Sequence, residues 1–134
     1  MSTIKIKHRD KPTSPWYRKY EYYIYSGSLH IGTIKMTFKK HILIIGYLEI
    51  FEEYRNQHYG YQVVEYLLSH YKAKCIIGES MKQSRGFWNK CIHSFNGQRK
   101  NIISHSDCSS SFVIPRYRIS DMAVYELLDD IYYA

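Results

Sequence analysis

Between Ile42 and Gly78 the hydrophobic pattern changes period twice, and few folds accommodate that order. The run Ile42-Leu43-Ile44-Ile45 predicts a strand at His41–Phe51 buried on both faces, as the centre of a sheet requires. After Phe51, Val63, Val64, Leu67, Leu68 and Tyr71 recur at helical spacing, with Glu65, Ser69 and Lys72 between them. That stripe predicts an amphipathic helix over residues 59–72. Cys75-Ile76-Ile77-Gly78 then reads as a second buried strand, so the segment is a βαβ crossover, expected to be right-handed.

The flanks read as antiparallel. A short strand is expected at Ile4–Lys7, followed by an irregular connection containing Pro12 and Pro15. Tyr20–Tyr25 and Leu29–Phe38, rich in aromatic and β-branched residues, are expected to pair as a hairpin across the turn Ser26-Gly27-Ser28. Beyond the crossover, Ser84–Cys91 reads as a short helix. Residues 94–111 read as loop interrupted by a strand near Asn101–Ser104, and Ser111–Ile119 as a strand with Pro115 marking an edge or bulge. Ser120 is placed to cap a last helix whose stripe is Val124, Leu127, Leu128, Ile131 and Tyr132. With 134 residues the chain is expected to be one domain, 1–134, of the α/β (α+β) class.

Hydrophobic residues at 45% and charged residues at 23% exclude a disordered or collagen-like chain. The formal charge of +7 favours a polyanionic ligand. Three cysteines, Cys75, Cys91 and Cys108, are too few for a disulfide framework and fit reduced thiols in a cytoplasmic protein. Neither a signal peptide nor an apolar run long enough for a membrane span is visible, so no membrane is expected. Cys91-x-His93 with His105-x-x-Cys108 offers four soft ligands, but its first half lacks a usual zinc spacing and no metal is expected. His58-Tyr59-Gly60-Tyr61 invites comparison with the aromatic strand of an RNA-recognition module, which the helical stripe from Val63 opposes.

The most informative stretch runs from Tyr47 to Gln62. A buried strand ends, a polar loop begins at Arg55, and a helix opens at Tyr59-Gly60, where free amides and the positive end of the dipole suit a phosphate. This segment resembles motif A of the GNAT superfamily of N-acetyltransferases, a strand followed by Arg/Gln-x-x-Gly-x-Gly/Ala and a helix. Arg55, Asn56, Gln57, His58, Tyr59 and Gly60 occupy the six positions. Glu79 through Cys91, with Phe87-Trp88-Asn89-Lys90, is similar to a second region of that family. The departures are His58 in place of the first loop glycine and Trp88 where many members carry a tyrosine acid; an indole N–H is no useful acid.

The resemblance implies a mixed sheet, splayed at its centre and flanked by helices, with acetyl-CoA in the cleft between the fourth and fifth strands. Ile50 and Phe51 would pair with the pantetheine and the amides from Asn56 to Gly60 with the pyrophosphate, while Ser84 and Trp88 would lie along the cofactor. Direct attack by an amine requires a base, for which Glu49 comes first and Glu79 second; Tyr117 is a candidate acid. Ser84 has the alternative of simply capping its helix. Without the family's two N-terminal helices the acceptor side is left open, which suits an amine on a protein. The competing reading is a GNAT-shaped protein without catalysis that binds a protein or nucleic acid through a basic, Tyr-rich surface. Lys5, Lys7, Arg9, Lys11, Arg18, Lys19, Lys39, Lys40, Arg116 and Arg118 would build it, among fifteen tyrosines.

Overall fold

The computed structural model describes residues 3–100 and 109–132. Its strands are β1 (Ile4–His8), β2 (Glu21–Ser26), β3 (Leu29–Lys39), β4 (Ile42–Ile50), β5 (Cys75–Met81), β6 (Gln98–Arg99) and β7 (Ser109–Ile114). The helices are α1 (Tyr59–His70), α2 (Arg85–Ser94) and α3 (Asp121–Tyr132). The strands form a 7-stranded sheet in the order β1-β2-β3-β4-β5-β7-β6, which puts β4 at its centre as expected. Among the described residues only β4 and β5, joined through α1, run parallel; the other pairings are antiparallel.

Local chemistry explains the elements. The β2–β3 hairpin closes with Ser26 opposite Leu29, and Gly27 takes the positive φ of 60° that the first central position of a tight hairpin turn demands. Ser120 caps α3, its hydroxyl accepting the amide of Ala123 at 3.1 Å. β7 ends at Ile114 rather than at Ile119, because Pro115 has no N–H to continue the ladder. It is an interior strand, flanked by β5 and β6, and Pro115 marks its end rather than an edge or bulge. The strand expected at Asn101–Ser104 lies outside the described residues, and β6 stands just before it.

The core has two layers, one on each face of the sheet. Leu43 and Ile45 of β4 turn to one face, where Val63, Val64 and Leu67 of α1 and Trp88 and Cys91 of α2 cover them. Ile44 turns to the other, under Val124, Leu128 and Ile131 of α3. The uninterrupted apolar run of β4 is thus consumed by helices on both sides. At roughly 2 kcal/mol for each fully buried aliphatic side chain, these stripes are what hold the helices to the sheet.

Candidate active site

β4 and β5 pair only from Ile42 opposite Cys75 to Ile45 opposite Gly78. Beyond that point β4 continues to Ile50 and β5 to Met81 without pairing, so the sheet opens into a cleft. The cause is local: Lys35 faces Tyr47 and Met36 faces Ile45, leaving Gly46 as an extra residue in β4. Such a bulge bends its strand. The Phe51 amide bonds the carbonyl of Ile31 on the β3 side at 2.8 Å. Alternation along the strand therefore turns the backbone groups of Ile50 and Leu48 toward the cleft.

Several of the expected contacts are already used within the chain. The Ile50 carbonyl accepts Nε of Arg55 at 2.8 Å, and the Phe51 carbonyl accepts the Tyr54 amide at 2.8 Å. Arg55 thus pins the 3₁₀ turn Glu52–Tyr54 to the end of β4. Asn56 and His58 both adopt left-handed φ of 63°, and His58 is the N-cap of α1 without a side-chain capping bond. The glycine expected by the resemblance at this place is explained by that backbone, which asparagine and histidine tolerate better than most residues. The first helical bond runs from the Gln62 amide to the His58 carbonyl, so the amides of Tyr59, Gly60 and Tyr61 have no intrahelical partner. Gln57 and His58 are exposed, and Tyr59 packs edge-on to Tyr54. Gly60 has a second role: a β-carbon there would meet the Phe87 ring at 2.8 Å, so it sets how closely α2 approaches α1.

On α2 the outcome differs from expectation. Trp88 is buried, with its indole stacked on Phe112 at 4.4 Å, and belongs to the core instead of the cleft. Apolar area on that side of α2 is needed to hold the helix on β5 and β7. Ser84 stands at the N-cap position but makes no capping bond; its hydroxyl donates to the Met81 carbonyl at 3.2 Å. The exposed side of α2 and the start of α1 border an open groove of about 470 Å³ lined by His58, Tyr61, Asn89, Lys90, His93 and Ser94. Arg99, which drew no attention in the sequence, donates to the Ser80 hydroxyl at 2.5 Å, the Ser110 carbonyl at 3.2 Å and Oδ1 of Asn89 at 2.6 Å. One guanidinium thereby ties β6 to β5, β7 and α2. Its burial, with Arg85 nearby, holds its pKa below the usual arginine value.

The two carboxylates flank the cleft. Leu48 and Ile50 pack with the α1–α2 layer, so Glu49 between them turns to the opposite face, where it is exposed. Ile77 packs in the α3 layer, and alternation along β5 puts Glu79 on that same face. Tyr117 is not brought to the cleft. Ile114 pairs with Ile76 near the start of β5, and Tyr117 packs in the α3 layer close beyond it, at the end from which β4 and β5 set out. A larger hollow of about 530 Å³ lies between α3 and the β3–β4 turn, lined by Lys39, Lys40 and Asp130 among others, and is remote from the loop at Arg55. Of the residues weighed for zinc, Cys91 is in the core and His93 is exposed, while His105 and Cys108 lie outside the described residues. Among the described residues no helix is long and apolar enough to cross a membrane.

No family model matches the chain, and no curated protein does. Solved structures do. The fold is similar to that of an acetyltransferase of Bacillus subtilis in complex with CoA, with a TM-score of 0.61 at 11% identity, over 85% of this chain and 98% of that one. The ribosomal-protein-S18-alanine N-acetyltransferase of Escherichia coli aligns with a TM-score of 0.59 at 7% identity, over 83% and 91%. Naa50 of Arabidopsis thaliana, in complex with the bisubstrate analogue CoA-Ac-MVNAL, aligns with a TM-score of 0.56 at 11% identity, over 86% and 99%. The chain spans as little as 63% of other such structures. At these identities the likeness is one of fold: the chain has the GNAT acetyltransferase fold.

Proposed function

We propose that residues 1–134 form one acetyl-CoA-dependent N-acetyltransferase domain that moves an acetyl group to a primary amine. The observation that carries this reading is the cleft: β4 and β5 part after the bulge at Gly46, and the loop leaving β4 delivers the first-turn amides of α1 beside it. The residues present fit the cofactor. The backbone groups of Leu48 and the amide of Ile50, whose carbonyl is taken by Arg55, turn toward the cleft and would pair with the pantetheine. The free first-turn amides of Tyr59, Gly60 and Tyr61 would hold the pyrophosphate at the positive end of α1, and Lys90 lines the adjoining groove. What acetyl-CoA supplies is an acetyl carbon activated as a thioester.

The chain's own residues must then manage a proton. An amine with a pKa of about 10.4 is mostly protonated near neutral pH, so a base is needed to free its lone pair. Glu49, exposed at one lip of the cleft, takes that proton directly or through water, and Glu79 at the other lip is the second candidate. With acetyl-CoA bound, the freed lone pair would bond to the acetyl carbon as the carbon–sulfur bond broke, and the second N–H proton, released as the amide forms, would pass through water, which would also protonate the departing thiolate. With a thiol pKa of about 8.5 it leaves without a dedicated acid, so the burial of Trp88 is no obstacle.

Isothermal titration with acetyl-CoA and CoA tests the reading. Micromolar binding is expected, weakened about tenfold by Lys90→Glu, which reverses one charge in the groove. No binding by the intact protein would overturn it. Binding without transfer to any amine would instead make the chain a binding protein on this fold.

A further inference from the structure

The registers of β1 to β4 line up side chains in rows on the face that α1 and α2 leave uncovered. One row starts at Glu49 and crosses Thr33 and Tyr23 to Lys7. The next starts at Phe51, whose ring meets His30 at 5.0 Å, and crosses Tyr25 to Lys5. Each row begins at a lip of the cleft and ends on an exposed lysine of β1. Three strand spacings separate the ends, about 14 Å, which an extended peptide covers in about four residues.

The charges along these rows are not balanced internally. Glu21, on the same face, is already matched by Arg9 at 2.7 Å, Arg18 at 3.6 Å and the Tyr47 hydroxyl at 3.0 Å. Among the described residues Lys5 and Lys7 have no carboxylate partner; the Lys7 ammonium lies over the Tyr25 ring at 5.6 Å. The face therefore presents a carboxylate at the cleft and unmatched cations at its far side.

Resting on the acetyl-transfer reading, we propose that the acceptor is a peptide with acidic side chains about four residues from the reacting amine, laid across β4 to β1 with the amine at Glu49 and the carboxylates at Lys5 and Lys7. The aromatic rings favour a peptide over a nucleic acid. His30 lies 4.3 Å from Tyr23 and 5.2 Å from Tyr25, so these rings pack on one another and offer less open surface for stacking bases. Glu49 would also repel a phosphate backbone.

Fluorescence anisotropy tests this directly. The probe is a labelled decapeptide with a free amino terminus and glutamates at its fourth to sixth positions, measured against the same peptide with lysines there. The acidic peptide is expected to bind at least about tenfold tighter, and the Lys5→Glu, Lys7→Glu variant to reverse the preference with acetyl-CoA affinity unchanged. Both lysines are exposed, and a melting curve matching the parent shows that the variant folds. Equal affinity for the two peptides overturns the proposal. So does a charge reversal without effect, which would leave the lysines as guards of the edge strand β1, and so does tighter binding of a single-stranded RNA of matched charge. Acetyl transfer without charge preference would overturn this inference alone. Charge-selective peptide binding without acetyl-CoA binding would overturn the transferase reading beneath it.

Discussion

A β-carbon at Gly32 would lie 2.1 Å from the Glu49 carbonyl oxygen, a backbone atom that no rotamer change can move. Gly32 therefore lets β3 approach β4 directly beside the residue proposed as base. Gly32→Ala is expected to lower stability by about 2 kcal/mol, visible as a fall in the denaturant midpoint; an unchanged midpoint would show that the strands separate cheaply there. Cys91 is a second case of meaning added by packing. Burial pushes its thiol up to about 12 and that of Cys75 up to about 11, from an ordinary 9.0. Both folded values are raised, so this stabilisation is complete below about pH 9 and is lost as pH rises through the folded values. Urea midpoints should fall between pH 9 and 11. At pH 8 a thiol reagent should label neither residue in the folded protein but both in denaturant, as peptide mapping can check. The sequence showed which residues were glycine and cysteine; their neighbours came from strands and helices far along the chain.

Among the elements, those with a strong period or a punctuating residue were legible and the others were not. β4, α1 and the Ser120 cap follow from an apolar run, a 3.6-residue stripe and a hydroxyl at the right position. The end of β7 is not legible in the pattern, because apolar residues continue to Ile119 while the proline that ends the ladder acts through one missing N–H. β6, of 2 residues, has no pattern of its own; β7 and Arg99 hold it in place. Arg99→Ala should leave Ser80, whose side chain is fully buried, without its guanidinium partner and loosen α2 from β5. A loss of about 2 kcal/mol is expected, with faster amide exchange in α2, and Arg99→Lys should recover little because one ammonium cannot reach three partners in a fork. Exchange unchanged in α2 would mean that the helix is held by Trp88 and Cys91 alone.

Across the whole molecule, the candidate chemistry depends on two lips that the topology sets side by side. Glu49 and Glu79 are 30 positions apart in the chain and stand on neighbouring strands that have stopped pairing. If Glu49 is the base, Glu49→Gln should lower kcat by about a hundredfold or more with acetyl-CoA affinity unchanged, while Glu79→Gln has the smaller effect. The opposite ranking would assign the proton to the β5 lip. Period and composition are local properties, and they were enough for the βαβ order of β4, α1 and β5, the burial of β4 on both faces and the start of α1 at Tyr59. Packing assigned Trp88 to the core, kept Tyr117 away from the cleft and made Gly60 a seat for Phe87. It also decided that Lys5 and Lys7 share a face with Glu49. Those facts depend on register and on which helix covers which face, and both are settled by contacts between residues that the chain keeps far apart.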